Sequence, residues 1–131
     1  MKRILVIDDD TLTLDVLKRM LEVEGYEVLT ASNGQEGIDI FHQSTIDLVI
    51  TDLVMPVKDG LRTIMELRQE KPDLPIIAIS AGGAIPKERY LTLAQYLGDI
   101  ITLPKPFRRK EIVETVYKMF NPDPPPNSYE V

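Results

Sequence analysis

The sequence predicts an α/β domain, an open, doubly wound parallel sheet of five strands with helices on both faces. Three observations carry this. Short β-rich runs alternate with longer amphipathic stretches along nearly the whole chain. The runs are apolar throughout, as strands covered on both faces must be. The 131 residues fall well short of the roughly 200 that a closed eight-unit barrel needs. Connections of this kind are right-handed, which makes the open sheet the default.

Ile4, Leu5, Val6 and Ile7 form the first strand, which stops at Asp8, Asp9 and Asp10. Residues 11–24 repeat Leu14, Leu17 and Leu21 at helical spacing, and Gly25 supplies the stop. Residues 26–31 read as the second strand. Asn33 and Gly34 open a second helix with Ile38 and Phe41 on its inner face, ending near Ser44. Leu48, Val49 and Ile50 make the third strand, which ends in Thr51 and Asp52. A loop over residues 53–58 precedes Asp59, Gly60 and a third helix carrying Leu61, Ile64, Met65 and Leu67. Pro72 and Pro75 bracket a turn before the fourth strand, residues 76–79. A glycine-containing loop over 80–85 leads to Pro86, which suits the first turn of a fourth helix running to about residue 97. Residues 100–103 make the fifth strand, and residues 107–120 a closing helix with Ile112, Val116 and Met119 inward. Residues 121–131 hold four of the ten prolines and no apolar periodicity. They read as a disordered tail or the start of a linker, which leaves one domain over residues 1–120.

Composition narrows the function. Fifteen basic against twenty-one acidic residues give a net charge of −6, which argues against direct nucleic-acid binding or a grip on anionic lipid by this chain. With 44% hydrophobic residues the chain can bury a real core. The absence of cysteine excludes disulfides, thiolate zinc sites and thiol catalysis, and the single histidine excludes a multi-histidine metal centre. No apolar run approaches a membrane span or a signal-peptide core. The expected location is the cytoplasm.

In an open parallel sheet, ligands bind at the carboxyl ends of the strands. The first strand delivers Asp8, Asp9 and Asp10 there, the third Asp52, the fourth Ser80 and the fifth Lys105. Two carboxylates about 4 Å apart repel by roughly 4 kcal/mol at an effective dielectric of about 20. Such a cluster therefore needs a proton, a cation or both. Lys105 supplies one charge, and a hard divalent cation suits the all-oxygen donor set, Mg²⁺ above all. The glycine-rich phosphate loops of nucleotide-binding proteins are missing. Acids, a hydroxyl and a lysine instead fit phosphoryl chemistry on a carboxylate nucleophile.

The chain resembles the response-regulator receiver domains (CheY-like) of two-component signal transduction. The resemblance rests on Lys2-Arg3-Ile4-Leu5-Val6-Ile7-Asp8-Asp9-Asp10, Asp52-Leu53-Val54-Met55-Pro56-Val57-Lys58-Asp59-Gly60, Ile76-Ile77-Ala78-Ile79-Ser80-Ala81 and Leu103-Pro104-Lys105-Pro106-Phe107. Their spacing agrees as well, with 43 residues from Asp9 to Asp52, 28 on to Ser80 and 25 on to Lys105. The likeness covers residues 2–120.

It implies a flavodoxin-like strand order of 2-1-3-4-5. It also implies that Asp52 is the phosphoacceptor, attacking a phosphohistidine on a histidine kinase or histidine phosphotransfer protein. Asp9 would bind Mg²⁺ directly, Asp8 largely through water, and Asp52 and the backbone carbonyl of Val54 would complete the protein ligands. Ser80 and Lys105 would hold phosphoryl oxygens, and a cis Lys105–Pro106 bond would aim the lysine inward. Asp10 is expected to cap the first helix or face water, and Met55, Pro56, Asp59 and Gly60 to shape the loop and start the third helix. His42 is expected on the surface, Arg108, Arg109 and Lys110 as solvated charge, and Tyr90 and Tyr96 in ordinary packing. The output would be a change in the loop after the fourth strand and in the surface of the fourth helix, fifth strand and fifth helix, read by a downstream effector. Such a domain catalyses only its own phosphorylation and dephosphorylation and is not an enzyme with turnover. One position departs from the family. Many receivers carry an aromatic residue three before the lysine, where this chain has Thr102.

A rival lies in a different class. Asp8-Asp9-Asp10-Thr11-Leu12-Thr13 resembles the first motif of haloacid-dehalogenase-type phosphatases, with Asp8 as nucleophile. Thr11 stands where glycine is usual there, and Ser80 where a downstream acid pair would follow.

Overall fold

A computed structural model of the chain describes residues 1–53, 60–80 and 100–122, Ser80 by its backbone only. Five strands, β1 (Arg3–Ile7), β2 (Glu27–Ala31), β3 (Leu48–Asp52), β4 (Ile76–Ser80) and β5 (Ile101–Pro104), pair in parallel in the order β2-β1-β3-β4-β5. Four helices are described: α1 (Thr11–Val23), α2 (Gly34–Gln43), α3 (Gly60–Glu70) and α4 (Arg109–Phe120). The expected helix from Pro86, with Tyr90 and Tyr96, lies outside the described residues. So do Val54, Met55, Pro56 and Asp59, the loop after Ser80 with Ala81, and residues 123–131.

Side chains alternate across a strand with period two, and here the alternation sorts the core into two layers. Leu5 and Ile7 of β1, Val49 of β3 and Ile76 and Ala78 of β4 face Ile38 of α2 and Ile64 and Leu67 of α3. Ile4 and Val6, Leu48 and Ile50, and Ile77 and Ile79 face Leu17 and Leu21 of α1 and Ile112 and Val116 of α4. Burying a side chain of this size contributes about 1.5–3 kcal/mol, so a slip of one residue in any central strand would place apolar groups against the wrong layer.

The helix ends follow from local chemistry. Asn33 caps α2 by accepting the Glu36 N–H at 2.9 Å. After α1, Gly25 takes φ +95° and its N–H reaches the Glu22 carbonyl at 3.0 Å, a backbone turn that disfavours any side chain. On α3 the apolar pattern is broader than the buried face: Ile64 and Leu67 are fully buried, whereas Leu61 and Met65 are exposed. On α4, Ile112 and Val116 are buried and Met119 partly so.

Candidate functional site

Strand register brings the acids together. Ile7 of β1 pairs with Thr51 of β3, so the next residues, Asp8 and Asp52, stand side by side at the carboxyl edge of the sheet. Ser80 of β4 pairs with Pro104 of β5, one step before Lys105. Two backbone bonds fix this edge, from the Asp8 N–H to the Ala31 carbonyl and from the Leu53 N–H to the Ile79 carbonyl, each 3.1 Å. Buried Thr51 donates its hydroxyl to the Asp52 carbonyl at 3.0 Å.

Asp8 is fully buried and Asp52 is 4% exposed, an uncommon state for carboxylates. Asp8 accepts the Asp10 N–H through Oδ1 at 2.9 Å and the Lys105 ammonium through Oδ2 at 2.8 Å. The same ammonium reaches Asp52 Oδ2 at 3.3 Å. The Lys105–Pro106 bond is cis. Burial raises the Asp8 pKa; the Lys105 and Asp10 hydrogen bonds oppose it without cancelling it, and the Asp52 charge adds to the rise. For Lys105, burial acts downward, but the hydrogen bond it donates to Asp8 and the charges of Asp52 and Asp8 outweigh it and raise its pKa.

Asp9 is exposed, and its carboxylate together with those of Asp8 and Asp52 offers oxygens all within 4.8 Å of one another. The Lys105 ammonium is shared by two of these acids, Asp8 and Asp52. The donor set fits a hard divalent cation, with three clustered carboxylates to offer oxygen ligands.

Asp10 takes the structural part expected of it. It caps α1, accepting the Leu12 N–H at 3.1 Å and the Thr13 hydroxyl at 2.8 Å, and these bonds lower its pKa. His42 is a surface residue, half-exposed and 2.8 Å from Glu70. Arg109 and Lys110 make exposed pairs with Glu24 and Glu114. Gly60 does more than open α3. A Cβ there would run into the Asp52 carbonyl and the backbone of Leu53, so a residue without a side chain holds the helix start against the end of β3. The sequence signal for this was the Asp59-Gly60 pair, which marks a turn but not what the turn touches.

Residues 4–117 match the response regulator receiver domain family. The chain belongs to that family. This receiver is 38% identical over 116 residues to the transcriptional regulatory protein CpxR of Escherichia coli (strain K12), covering 88% of this chain and 48% of that protein. The chain thus spans about half the length of the curated relatives it matches. Among solved structures, it is similar to a receiver domain protein (CheY-like) from Methanospirillum hungatei JF-1, with TM-score 0.82, 28% identity and coverage of 90% and 92% of the two chains. It is similar also to the response regulator protein TrrA of Thermotoga maritima in complex with Mg²⁺ and BeF, with TM-score 0.76, 37% identity and coverage of 91% and 99%.

The receiver is thus a signalling domain of two-component systems rather than an enzyme of the usual kind. Receiver domains bind Mg²⁺ at an acidic cluster of the type formed here by Asp8, Asp9 and Asp52. The comparisons lend no support to the phosphatase alternative.

Proposed function

We propose that Asp52 accepts a phosphoryl group from a phosphohistidine on a histidine kinase or phosphotransfer protein. An Asp52 oxygen forms the new bond to phosphorus as the phosphorus–nitrogen bond breaks, and its electron pair returns to the partner's imidazole. The observation that supports this is the Lys105 ammonium held between the carboxylates of Asp8 and Asp52, at 2.8 and 3.3 Å. A fixed cation at that point meets the charge that spreads over the phosphoryl oxygens, without reorganising at the moment of reaction.

Asp8, Asp9, Asp52 and the Val54 carbonyl would hold Mg²⁺. When bound, the ion neutralises charge on the transferring group and on the acids around it. Asp8 orients Lys105, and Ser80 is the hydroxyl available to a phosphoryl oxygen. The added charge would then draw on the loop over 80–86 and the surface of the fourth predicted helix, β5 and α4. Thr102, half-buried in β5 opposite Ala78, stands where an aromatic switch would be, so the signal here would run through the loop without one. Residues 1–120 would form the receiver and 121–131 a tail or linker. The cytoplasm is the compartment this reading proposes.

Incubation with acetyl phosphate and Mg²⁺ should label the wild-type chain and leave Asp52→Asn unlabelled. Stoichiometric labelling of that variant would overturn the assignment.

A further inference from the structure

Thr51 is polar, fully buried and next in sequence to Asp52 at the end of β3. Side chains alternate along a strand, so Thr51 shares the face of Val49, in the layer packed on α2 and α3. Valine has the same branched shape and would bury a methyl group there, whereas a buried hydroxyl costs free energy unless it is hydrogen-bonded. Among the described residues its one partner is the Asp52 carbonyl, at 3.0 Å. The peptide group that carries this carbonyl is held elsewhere too. Its N–H, from Leu53, reaches the Ile79 carbonyl at 3.1 Å, and Gly60 lies so close to its oxygen that a Cβ would not fit.

We propose that Thr51 is a positioning residue for phosphoryl transfer, its hydroxyl locking the Asp52–Leu53 peptide and so aiming the Asp52 carboxylate. This rests on Asp52 being the phosphoacceptor. Pairing of β3 with β1 and β4 fixes the backbone on the amino side of Asp52. The locked peptide fixes it on the carboxyl side. The Cα–Cβ direction is then set, and only the side-chain torsions remain for the carboxylate to meet Lys105 at 3.3 Å. Transfer needs the attacking oxygen in line with the bond that breaks, and an error of about 1 Å costs up to about 100-fold in rate.

Thr51→Val keeps the shape and removes the bond. With acetyl phosphate and Mg²⁺ its maximal labelling rate should fall about tenfold, while the half-saturating acetyl phosphate concentration stays unchanged. Thr51→Ser restores the hydroxyl and should return the rate to within about twofold of wild type. A wild-type rate in Thr51→Val would overturn the proposal, and so would a Thr51→Ser chain as slow as the valine variant. Thermal melts separate aim from folding. Thr51→Val should melt no lower than Thr51→Ser, and a loss of rate that only follows a loss of folded chain would contradict the proposal. Hydrogen exchange reads the lock without phosphorylation: the Leu53 amide should exchange about tenfold faster in Thr51→Val but not in Thr51→Ser. An unchanged Leu53 amide would refute the lock. A wild-type chain that takes no label on Asp52 would refute the phosphoacceptor, and the positioning role with it, whereas a labelled wild type beside an unaffected valine variant refutes Thr51 alone.

Discussion

The two ends of the central strands carry ion pairs of similar length in opposite circumstances. At the amino edge, Arg3 meets Glu27 at 3.1 Å with side chains 32% and 43% exposed, and the Arg3 N–H is taken by Asp47 at 2.8 Å. At the carboxyl edge, Lys105 meets Asp8 at 2.8 Å with side chains 21% and 1% exposed, and must also serve Asp52. Water screens the first pair, which ties β1 to β2 and contributes little. The second is largely buried, with one ammonium shared between two carboxylates. Clustered, buried acids at one edge make it the candidate place for a cation, and the difference between the edges locates the candidate site better than either edge alone.

The largest expected effect is on the crowded edge. Lys105→Met takes the ammonium away from buried Asp8 and Asp52, and should lower stability by about 3 kcal/mol, the low end for a broken buried pair because the lysine is partly exposed. Millimolar Mg²⁺ should return part of that loss. Urea denaturation with and without the ion measures both, and a variant as stable as wild type in the absence of Mg²⁺ would remove the contrast between the edges.

A smaller effect concerns pH. Burial holds the Asp8 pKa above 3.8, so the folded state binds this proton more tightly than the unfolded chain. The penalty for the charged form is therefore present above the folded value and is relieved as pH falls toward 3.8. For Lys105 the folded value lies above 10.5; its stabilisation is complete below that pH and is lost as pH rises through the folded value. In a carbon-detected NMR titration, the Asp8 carboxyl should have its midpoint above 3.8 without divalent ions and move down when Mg²⁺ is added. A midpoint at or below 3.8 would remove desolvation as the governing cause.

The smallest effect belongs to the amino edge. Glu27→Ala should lower stability by less than about 1 kcal/mol, and 1 M salt should shrink the difference further. A loss comparable to that of Lys105→Met would mean that the edges are alike.

What the sequence made legible follows the same division. The strands were readable because Ile4 to Ile7, Leu48 to Ile50 and Ile76 to Ile79 are apolar on both faces, and the two layers confirm why. Helix ends were readable where local chemistry decides them, at Asn33 and Gly25. Periodicity could not separate Ile64 from Met65 on α3, because both are apolar and only packing against α2 and the sheet chooses between them. The acids at the carboxyl edge were readable as types at strand ends. That Lys105 reaches Asp8 more closely than Asp52 was not, because the contact joins residues 97 apart in sequence through strand register.

The central claim is that one acid of this crowded edge, Asp52, carries the phosphoryl group. Treating the chain with acetyl phosphate and Mg²⁺, reducing the acyl phosphate with borohydride and sequencing the peptides by mass spectrometry marks the modified residue directly. The account predicts homoserine at position 52 and unmodified aspartate at positions 8, 9 and 10. Homoserine at position 8 with position 52 untouched would contradict it.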